Sequence, residues 1–239
     1  MEIEQILKAY HQGERNFRQI KLMEAEILKE NLSSADFSYS DLRQARLGLT
    51  NFRQGNFTEA DLSETILWGT DFSEAILYKI LLRDADLSSA KLIKTNLEKA
   101  NLIKASFCGA NLTEANLADS IIIDGDFRPN SDQQTNLTQA NLSNVDLSYA
   151  NLSQALFYQA NLRGAKLCRA NLSTGKRYDS IKTDLTEANL QVADLSYADL
   201  TGAILVKANL QGADLTGTIL QNTDLTGAIM PNGEIIKKD

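Results

Sequence analysis

The chain has 239 residues and carries a formal net charge of −7, with 31 acidic against 24 basic residues. This balance argues against a nucleic-acid-binding protein, which needs a basic surface. The hydrophobic fraction of 43% is sufficient for a packed core and argues against a disordered chain. Two cysteines are too few for a disulfide framework.

The first predicted element is a capping helix within residues 1–14. Its apolar residues follow the i, i+3, i+4, i+7 spacing of one helical face: Ile3, Ile6, Leu7 and Tyr10. Gly13 is a suitable helix stop. The stretch has neither the basic nor the apolar region of a signal peptide, and no apolar run in the chain is long enough to cross a bilayer. We therefore expect a cytoplasmic protein.

From residue 15 to residue 230 the chain repeats with a period of five. The central position of the repeat is Leu, Phe or Ile at all 40 occurrences, which fall in three runs: 17–127, 137–172 and 185–225. A small residue, most often Ala, lies two positions earlier, and Asn or Asp usually lies between them. The consensus is therefore A-(N/D)-L-x-x.

A period of five fits neither an α-helix nor a flat strand. On a helix, five residues advance the side chain by about 140°, which would spread the central residues over every face. On a flat strand, an odd period would send successive central residues to opposite faces. The conflict disappears if the chain turns a corner once per repeat, because the central residue and the small residue before it then both point inward. Phenylalanines occur only at central positions and are often 20 residues apart, which favours four repeats per coil.

The A-(N/D)-L-x-x array resembles that of the pentapeptide-repeat family over residues 15–230. The resemblance implies an all-β solenoid, a right-handed quadrilateral β-helix of about ten coils with four pentapeptides in each. Residues 231–239 contain an Asn-Gly turn and are predicted to form a C-terminal cap or tail. With a cap at each end, we expect a monomer.

Two interruptions, near 128–135 and 173–182, break the repeat. The first places Asp132 where a core leucine is expected. Because an unpaired carboxylate is costly in an apolar core, we expect this segment to bulge outward. Loops on rigid scaffolds often carry function, and a tolerated insertion is the alternative. The candidate loop residues are Arg128, Asp132, Lys176, Arg177 and Tyr178.

No residue pattern predicts catalysis, a cofactor site or a metal site. The only histidine, His11, lies in the predicted capping helix. Cys108 and Cys168 lack a His or Cys neighbour at metal-ligand spacing. Layers of Leu, Phe and Ala are expected to fill the interior and leave no cavity of ligand size. We therefore expect a protein that is not an enzyme and that acts through its outer walls.

Large apolar residues at outward positions of the middle repeats form the candidate protein-binding site: Ile66, Trp68, Ile76, Tyr78, Leu81, Ile103 and Ile123. The repeat does not require apolar side chains there. Exposed apolar patches mark binding sites, and Trp and Tyr are frequent interface anchors. With four repeats per coil, Leu81, Ile103 and Ile123 are predicted to lie on one face in successive coils. The alternative is that these outward residues have no function.

Short segments within the array, such as 75–78 and 165–171, resemble a cyanobacterial branch of the family that is linked to control of heterocyst differentiation. This resemblance implies a regulator that binds another protein, with the differentiation regulator HetR as the partner. The acidic charge balance and the lack of a long apolar run predict that it binds neither nucleic acid nor membrane. The alternative function is a DNA-mimicking inhibitor or protector of DNA gyrase, a role known in another branch. Mixed charges on the predicted walls, such as Glu98 beside Lys99, argue against that alternative.

Overall fold

The computed structural model describes residues 3–174 and 181–237. The only α-helix in these ranges, α1, spans Ile3–His11. From residue 16 onward the described chain winds into a four-sided coil in which each repeat forms one side. The predicted solenoid with an N-terminal helix is confirmed. Within the described residues, no helix has the length and hydrophobicity needed to cross a membrane.

Isolated parallel bridges join the Asn/Asp position of each repeat to the same position one coil later, 20 residues further along most of the chain. Single bridge residues take the place of longer strands because the chain turns a corner in every repeat. The ladders define four walls, numbered by their first bridge residue: wall 1 from Asn16, wall 2 from Lys21, wall 3 from Glu26 and wall 4 from Asn31. Since the chain visits the walls in this order, walls 1 and 3 lie on opposite sides of the coil.

The central residues and the small residues two positions earlier fill the interior, and nearly all of them are completely buried. Phenylalanines that are 20 residues apart stack on one wall, with ring centroids 5.4 Å apart for Phe17 and Phe37 and 5.3 Å apart for Phe37 and Phe57. Phe37 and Phe52 are on neighbouring walls and meet edge to face at 5.8 Å. Both contacts are favourable geometries for aromatic rings, and both follow from four repeats per coil.

The hydrogen bonds of the repeat 110–114 explain the Asn/Asp position and the turn of the consensus. Oδ1 of Asn111 accepts a hydrogen bond from the main-chain N–H of Thr113 at 3.0 Å, which is the reason for Asn or Asp before the central residue. Glu114 has a φ of 57°, and the N–H of Ala115 donates to the C=O of Leu112 at 3.0 Å, which closes the turn. The Asn/Asp position and the turn after the central residue therefore have local structural roles.

The two ends of the coil are covered by different elements. At the N-terminal end, α1 buries Tyr10 against the first coil. At the C-terminal end, Ile229 and Ile235 form an antiparallel bridge on either side of the predicted Asn-Gly turn. The last coil is less well covered, because Leu215 and Leu220 are only partly buried. The C-terminal hairpin therefore covers only part of the end of the coil.

Both interruptions lie at the corner between wall 3 and wall 4. Wall 3 passes through Asp126, and wall 4 resumes at Asn136, ten residues later instead of five. The second interruption separates Asn171 on wall 3 from Asp184 on wall 4. Each coil keeps its four sides, so both loops are additions to the corner and replace no wall.

The first regular repeat after each loop begins with a fully buried threonine. The hydroxyl of Thr135 accepts a hydrogen bond from the N–H of Gly109 at 2.8 Å. The hydroxyl of Thr183 accepts one from the N–H of Gln154, also at 2.8 Å. These hydroxyls therefore receive main-chain donors at the places where the loops interrupt the regular ladder.

Candidate functional site

The described residues contain no group of His, Cys, Asp or Glu side chains arranged to hold a metal ion. Nδ1 of His11 lies 2.7 Å from the carbonyl oxygen of Leu7, so the ring makes a hydrogen bond within α1. Burial raises the pKa of the Cys108 thiol, which keeps it protonated and weakly nucleophilic at neutral pH. The distinctive features of the surface lie on the outer walls and the loops.

The structure divides the seven predicted wall residues among three walls. Wall 3 carries Ile66 and Trp68, wall 1 carries Ile76 and Tyr78, and wall 2 carries Leu81, Ile103 and Ile123. Because walls 1 and 3 face opposite directions, Trp68 and Tyr78 do not share one contact surface. The predicted residues therefore form separate patches.

Four exposed apolar residues form one patch on wall 3 and its corner, which we call the tryptophan patch: Leu28, Leu49, Ile66 and Trp68. They are between 37% and 47% exposed. The Trp68 indole lies directly over Gly48, where a Cβ would be 2.8 Å from Nε1. Leu49 lies over Gly69 in the same way, at 2.7 Å. A glycine in the neighbouring coil thus lets each of these two side chains rest against the main chain.

Wall 2 carries a second group of apolar residues, which we call the isoleucine patch: Leu81, Ile103, Ile121 and Ile123. The N–H of Lys104 donates to the C=O of Ile123 at 2.9 Å, so Ile103 and Ile123 are stacked in successive coils. Leu81 and Ile121 occupy bridge positions and are 39% and 40% exposed. The predicted placement of Leu81, Ile103 and Ile123 on one face is correct, and their binding role stays a prediction.

Ile76 and Tyr78 lie next to the isoleucine patch, around the corner on wall 1. Two ammonium groups approach the Tyr78 ring, that of Lys79 at 5.4 Å and that of Lys99 at 5.6 Å from the centroid. A hydrogen bond to Glu98, with a smaller contribution from Tyr78, raises the pKa of Lys99, so this cation stays charged. Tyr78 is partly covered by these neighbours and is less exposed than Trp68.

The first loop is held against the corner by specific contacts. Nδ2 of Asn130 donates to Oγ of Ser89 at 2.8 Å. Oδ1 of Asn130 accepts from the N–H groups of Asp132 and Gln133 at 2.9 and 2.8 Å. Asn130 lies over Gly109, where a Cβ would collide with the side-chain amide. This loop is therefore an ordered extension of the corner, held by hydrogen bonds.

Two of the five candidate loop residues are exposed in the first loop. Arg128 pairs with Asp126 at 2.7 Å and so has a partner on its own wall. Asp132 points away from the core, as expected, and Oγ of Ser131 donates to it at 3.0 Å. The remaining candidates lie outside the described residues: Lys176, Arg177 and Tyr178.

Sequence reasoning missed Leu28 and Leu49 of the tryptophan patch and two exposed tyrosines. Among the described residues, Tyr149 and Tyr197 are the most exposed aromatic side chains, at 55% and 58%. Both occupy the last position of a repeat, where Glu, Gln, Lys and Gly are more frequent. A composition count at that position alone would have identified them.

The repeat and its geometry define the class of protein. The family model for pentapeptide repeats matches in eight copies: 16–54, 31–69, 56–79, 69–102, 80–119, 90–128, 135–173 and 193–230. These matches together cover more than half of the chain. The chain belongs to the pentapeptide-repeat family.

Within that family, the chain is similar to HetL from the cyanobacterium Nostoc sp. strain PCC 7120, a pentapeptide repeat protein involved in heterocyst differentiation regulation. The identity is 56%, the alignment covers 99% of this chain and 100% of HetL, and the TM-score is 0.97. The chain also resembles QnrB1, a plasmid-mediated fluoroquinolone resistance protein, at 18% identity over 87% of this chain and 92% of QnrB1, with a TM-score of 0.49. No curated protein matches the chain.

Proposed function

We propose that this protein is a non-catalytic regulator of heterocyst differentiation that binds another protein through its outer walls. The observation that carries the proposal is the similarity to HetL, at 56% identity over 99% of the chain with a TM-score of 0.97. A match that runs from end to end includes the walls as well as the interior. The partner implied by the resemblance is the differentiation regulator HetR.

The local chemistry of the walls supports a binding role for the two apolar patches. Ile66, Leu81 and Ile121 occupy the position at which Asn or Asp normally accepts the N–H of the residue two positions later. Asp61 shows the usual arrangement, accepting from Ser63 at 3.0 Å. An aliphatic side chain has no acceptor, so each replacement loses a local hydrogen bond and exposes apolar surface. Because neither change stabilises the fold, partner binding is the simplest explanation.

Binding of purified HetR to the immobilised protein tests the proposal and separates the two patches. If a patch is the binding surface, Trp68→Ala or Ile121→Ala should weaken binding by about thirtyfold, as expected for an interface anchor. The melting temperature should stay close to that of the wild type, because both side chains are substantially exposed. Tyr158→Ala removes an exposed aromatic residue from wall 4 and is the matched control. Light scattering of the free protein should give the mass of one chain, 26.4 kDa.

The two loops are the competing binding surface, and variants shortened within 129–133 and within 175–180 test them. If the shortened variants lose HetR while the alanine variants bind normally, the loops are the site and the apolar patches are not. If the wild-type protein does not bind HetR, the choice of partner is wrong. If Tyr158→Ala weakens binding as much as Trp68→Ala, the effect is not specific to the patch.

A further inference from the structure

One segment has a charge opposite to that of the rest of the protein. Residues 161–182 contain six basic residues and one acidic residue, a formal charge of +5, so the remainder must carry −12 to give the net charge of −7. Residues 161–172 of the segment form three walls of one coil. Four of its cations lie among the described residues; Lys182 lies in the second interruption, and the other three lie on the coil itself: Arg163, Lys166 and Arg169.

These three cations extend around one coil over two neighbouring walls. Arg163 lies on wall 1, Lys166 is a bridge residue of wall 2, and Arg169 lies at the corner between walls 2 and 3. Of the three, Lys166 alone has a carboxylate within ion-pair distance in the described structure, Asp146 at 3.7 Å. Arg163 donates to a neutral amide oxygen, Oε1 of Gln191, at 2.9 Å. Much of the positive charge of this coil is therefore not neutralised locally.

Several basic residues elsewhere on the walls are paired with an acidic residue in the next coil. Arg46 lies 3.2 Å from Glu26, and Lys94 lies 3.5 Å from Glu114. These pairs join residues that are 20 positions apart, so the stacking of coils itself brings opposite charges together. Arg169 departs from this pattern, because both of its neighbours in the column are tyrosines.

Tyr149, Arg169 and Tyr197 stack on one corner in three successive coils. The main-chain N–H of Tyr149 donates to the C=O of Cys168 at 3.0 Å, and the N–H of Arg169 donates to the C=O of Ser196 at 2.9 Å. These bonds place the three side chains one above another. The Arg169 guanidinium lies 5.4 Å from the centroid of the Tyr197 ring. That ring lies over Gly217, where a Cβ would be 2.7 Å from it, so the main chain beneath positions the ring.

We propose that this corner binds an acidic segment of a partner protein, with a Glu or Asp carboxylate on Arg169 and its neighbouring side chains on the two tyrosine rings. A guanidinium presents parallel N–H donors that match a carboxylate. Tyr and Arg are enriched in binding hot spots. Arg163, which has a neutral partner, extends the positive charge along the same coil. The inference names the chemistry of the partner and so rests on the proposed function.

A double-stranded nucleic acid is a poorer match for this surface. Arg163, Lys166 and Arg169 lie in one coil, about 4.8 Å of wall, and a duplex would extend over the neighbouring coils. On wall 2 the residues on either side of Lys166 are Asp146 and Asp194, so the neighbouring coils that a duplex would have to cover present negative charge to its phosphates. A short acidic segment of a protein can instead be confined to the positive coil.

Fluorescence anisotropy with a labelled glutamate-rich peptide that contains one phenylalanine tests the proposal. The wild-type protein should bind this peptide, and the same peptide with glutamine in place of glutamate should not bind. Arg169→Gln should weaken binding at least about tenfold, and Arg169→Lys should recover only part of it, because lysine lacks the paired donors. Tyr149→Ala should also weaken binding. Lys104→Gln removes the same charge from the same corner three coils earlier and should have little effect.

Three outcomes would overturn the inference: no binding of the peptide to the wild-type protein, equal loss in Lys104→Gln and Arg169→Gln, or tighter binding of a labelled DNA duplex than of the peptide. Circular dichroism of each variant separates loss of binding from loss of fold.

The HetR assay distinguishes failure of this inference from failure of the proposed function. If HetR binds Arg169→Gln normally and the peptide does not bind, the inference fails and the proposed function stands. If the peptide binds as expected but HetR does not, the choice of HetR fails and the acidic-segment inference stands.

Discussion

The inside of the coil is alike from one end to the other, whereas the outside changes from coil to coil. Leu102 is fully buried, and every repeat has Leu, Phe or Ile at the same position. Its neighbour Asn101 points outward on wall 2, and the ladder through Asn101 contains residues of every chemical kind: Asp61, Leu81, Ile121 and Lys166. The residue type at an interior position is restricted because its side chain must fill a closed, densely packed layer. At an outward position, any side chain that allows the main-chain bridge is tolerated.

This difference limits where evidence for the proposed binding function can be sought. The interior is occupied by residues that the fold requires, so its composition says nothing about a partner. The outward positions are free to vary, and a large apolar or unpaired charged residue there needs a separate reason. Among the described residues, such side chains are grouped in the tryptophan patch, in the isoleucine patch and at the corner around Arg169.

The largest expected effect is that of a charge placed inside the coil. Leu102→Asp buries a carboxylate without a partner, which should cost at least several kcal/mol of unfolding free energy. Urea denaturation should show either a large loss of stability or no folded protein. Asn101→Asp, one residue away and facing outward, should change the stability by less than about 0.5 kcal/mol. Equal stability of Leu102→Asp and Asn101→Asp would show that the inward assignment of the central residue is wrong.

A smaller effect is expected where the loops join the interior. Thr183→Val keeps the shape of the side chain but leaves the N–H of Gln154 without its acceptor, which should cost about 1–3 kcal/mol. Thr135→Val should cost less, because the N–H of Gly109 also donates to the C=O of Arg128 at 3.1 Å. Urea midpoints of the two variants provide the comparison. The reverse order would contradict this account of how the loops are closed.

The smallest expected effect is that of an ion pair on a wall. Burial alone would raise the pKa of Asp126, but hydrogen bonds from Arg128 outweigh it and hold that pKa below the ordinary value of 3.8. The carboxylate therefore contributes stability above pH 3.8, and this contribution is lost as the pH falls through the lowered pKa. Arg128→Ala should cost less than about 1 kcal/mol at pH 7, because the pair is partly exposed, and the difference from wild type should shrink below pH 3.8. A difference that grows on acidification would show that Arg128 acts in another way.

The architecture could be predicted from the sequence because each repeat contains the reason for its own conformation. The odd period of five excludes the two regular structures, and the spacing of Phe17, Phe37 and Phe57 indicates four repeats per coil. The outward position of Asp132 followed from the cost of burying a carboxylate. That both loops open at the same corner was not evident, because it depends on which wall the chain has reached when each repeat is interrupted.

The candidate site was predictable only in part, for a geometric reason. The repeat pattern is sufficient to assign which residues face inward and which face outward, since an apolar centre in every fifth position has one arrangement that buries all the centres. Which outward residues are neighbours depends on the winding of the coil and is known from the three-dimensional structure alone. Trp68 and Tyr78 are ten residues apart and lie on opposite walls, whereas Tyr149 and Tyr197 are 48 residues apart and lie on one corner on either side of Arg169. Residues 20 positions apart, or more where a loop intervenes, lie in successive coils at the inter-strand spacing of about 4.8 Å. Residues ten positions apart lie on opposite walls and are separated by the full width of the coil.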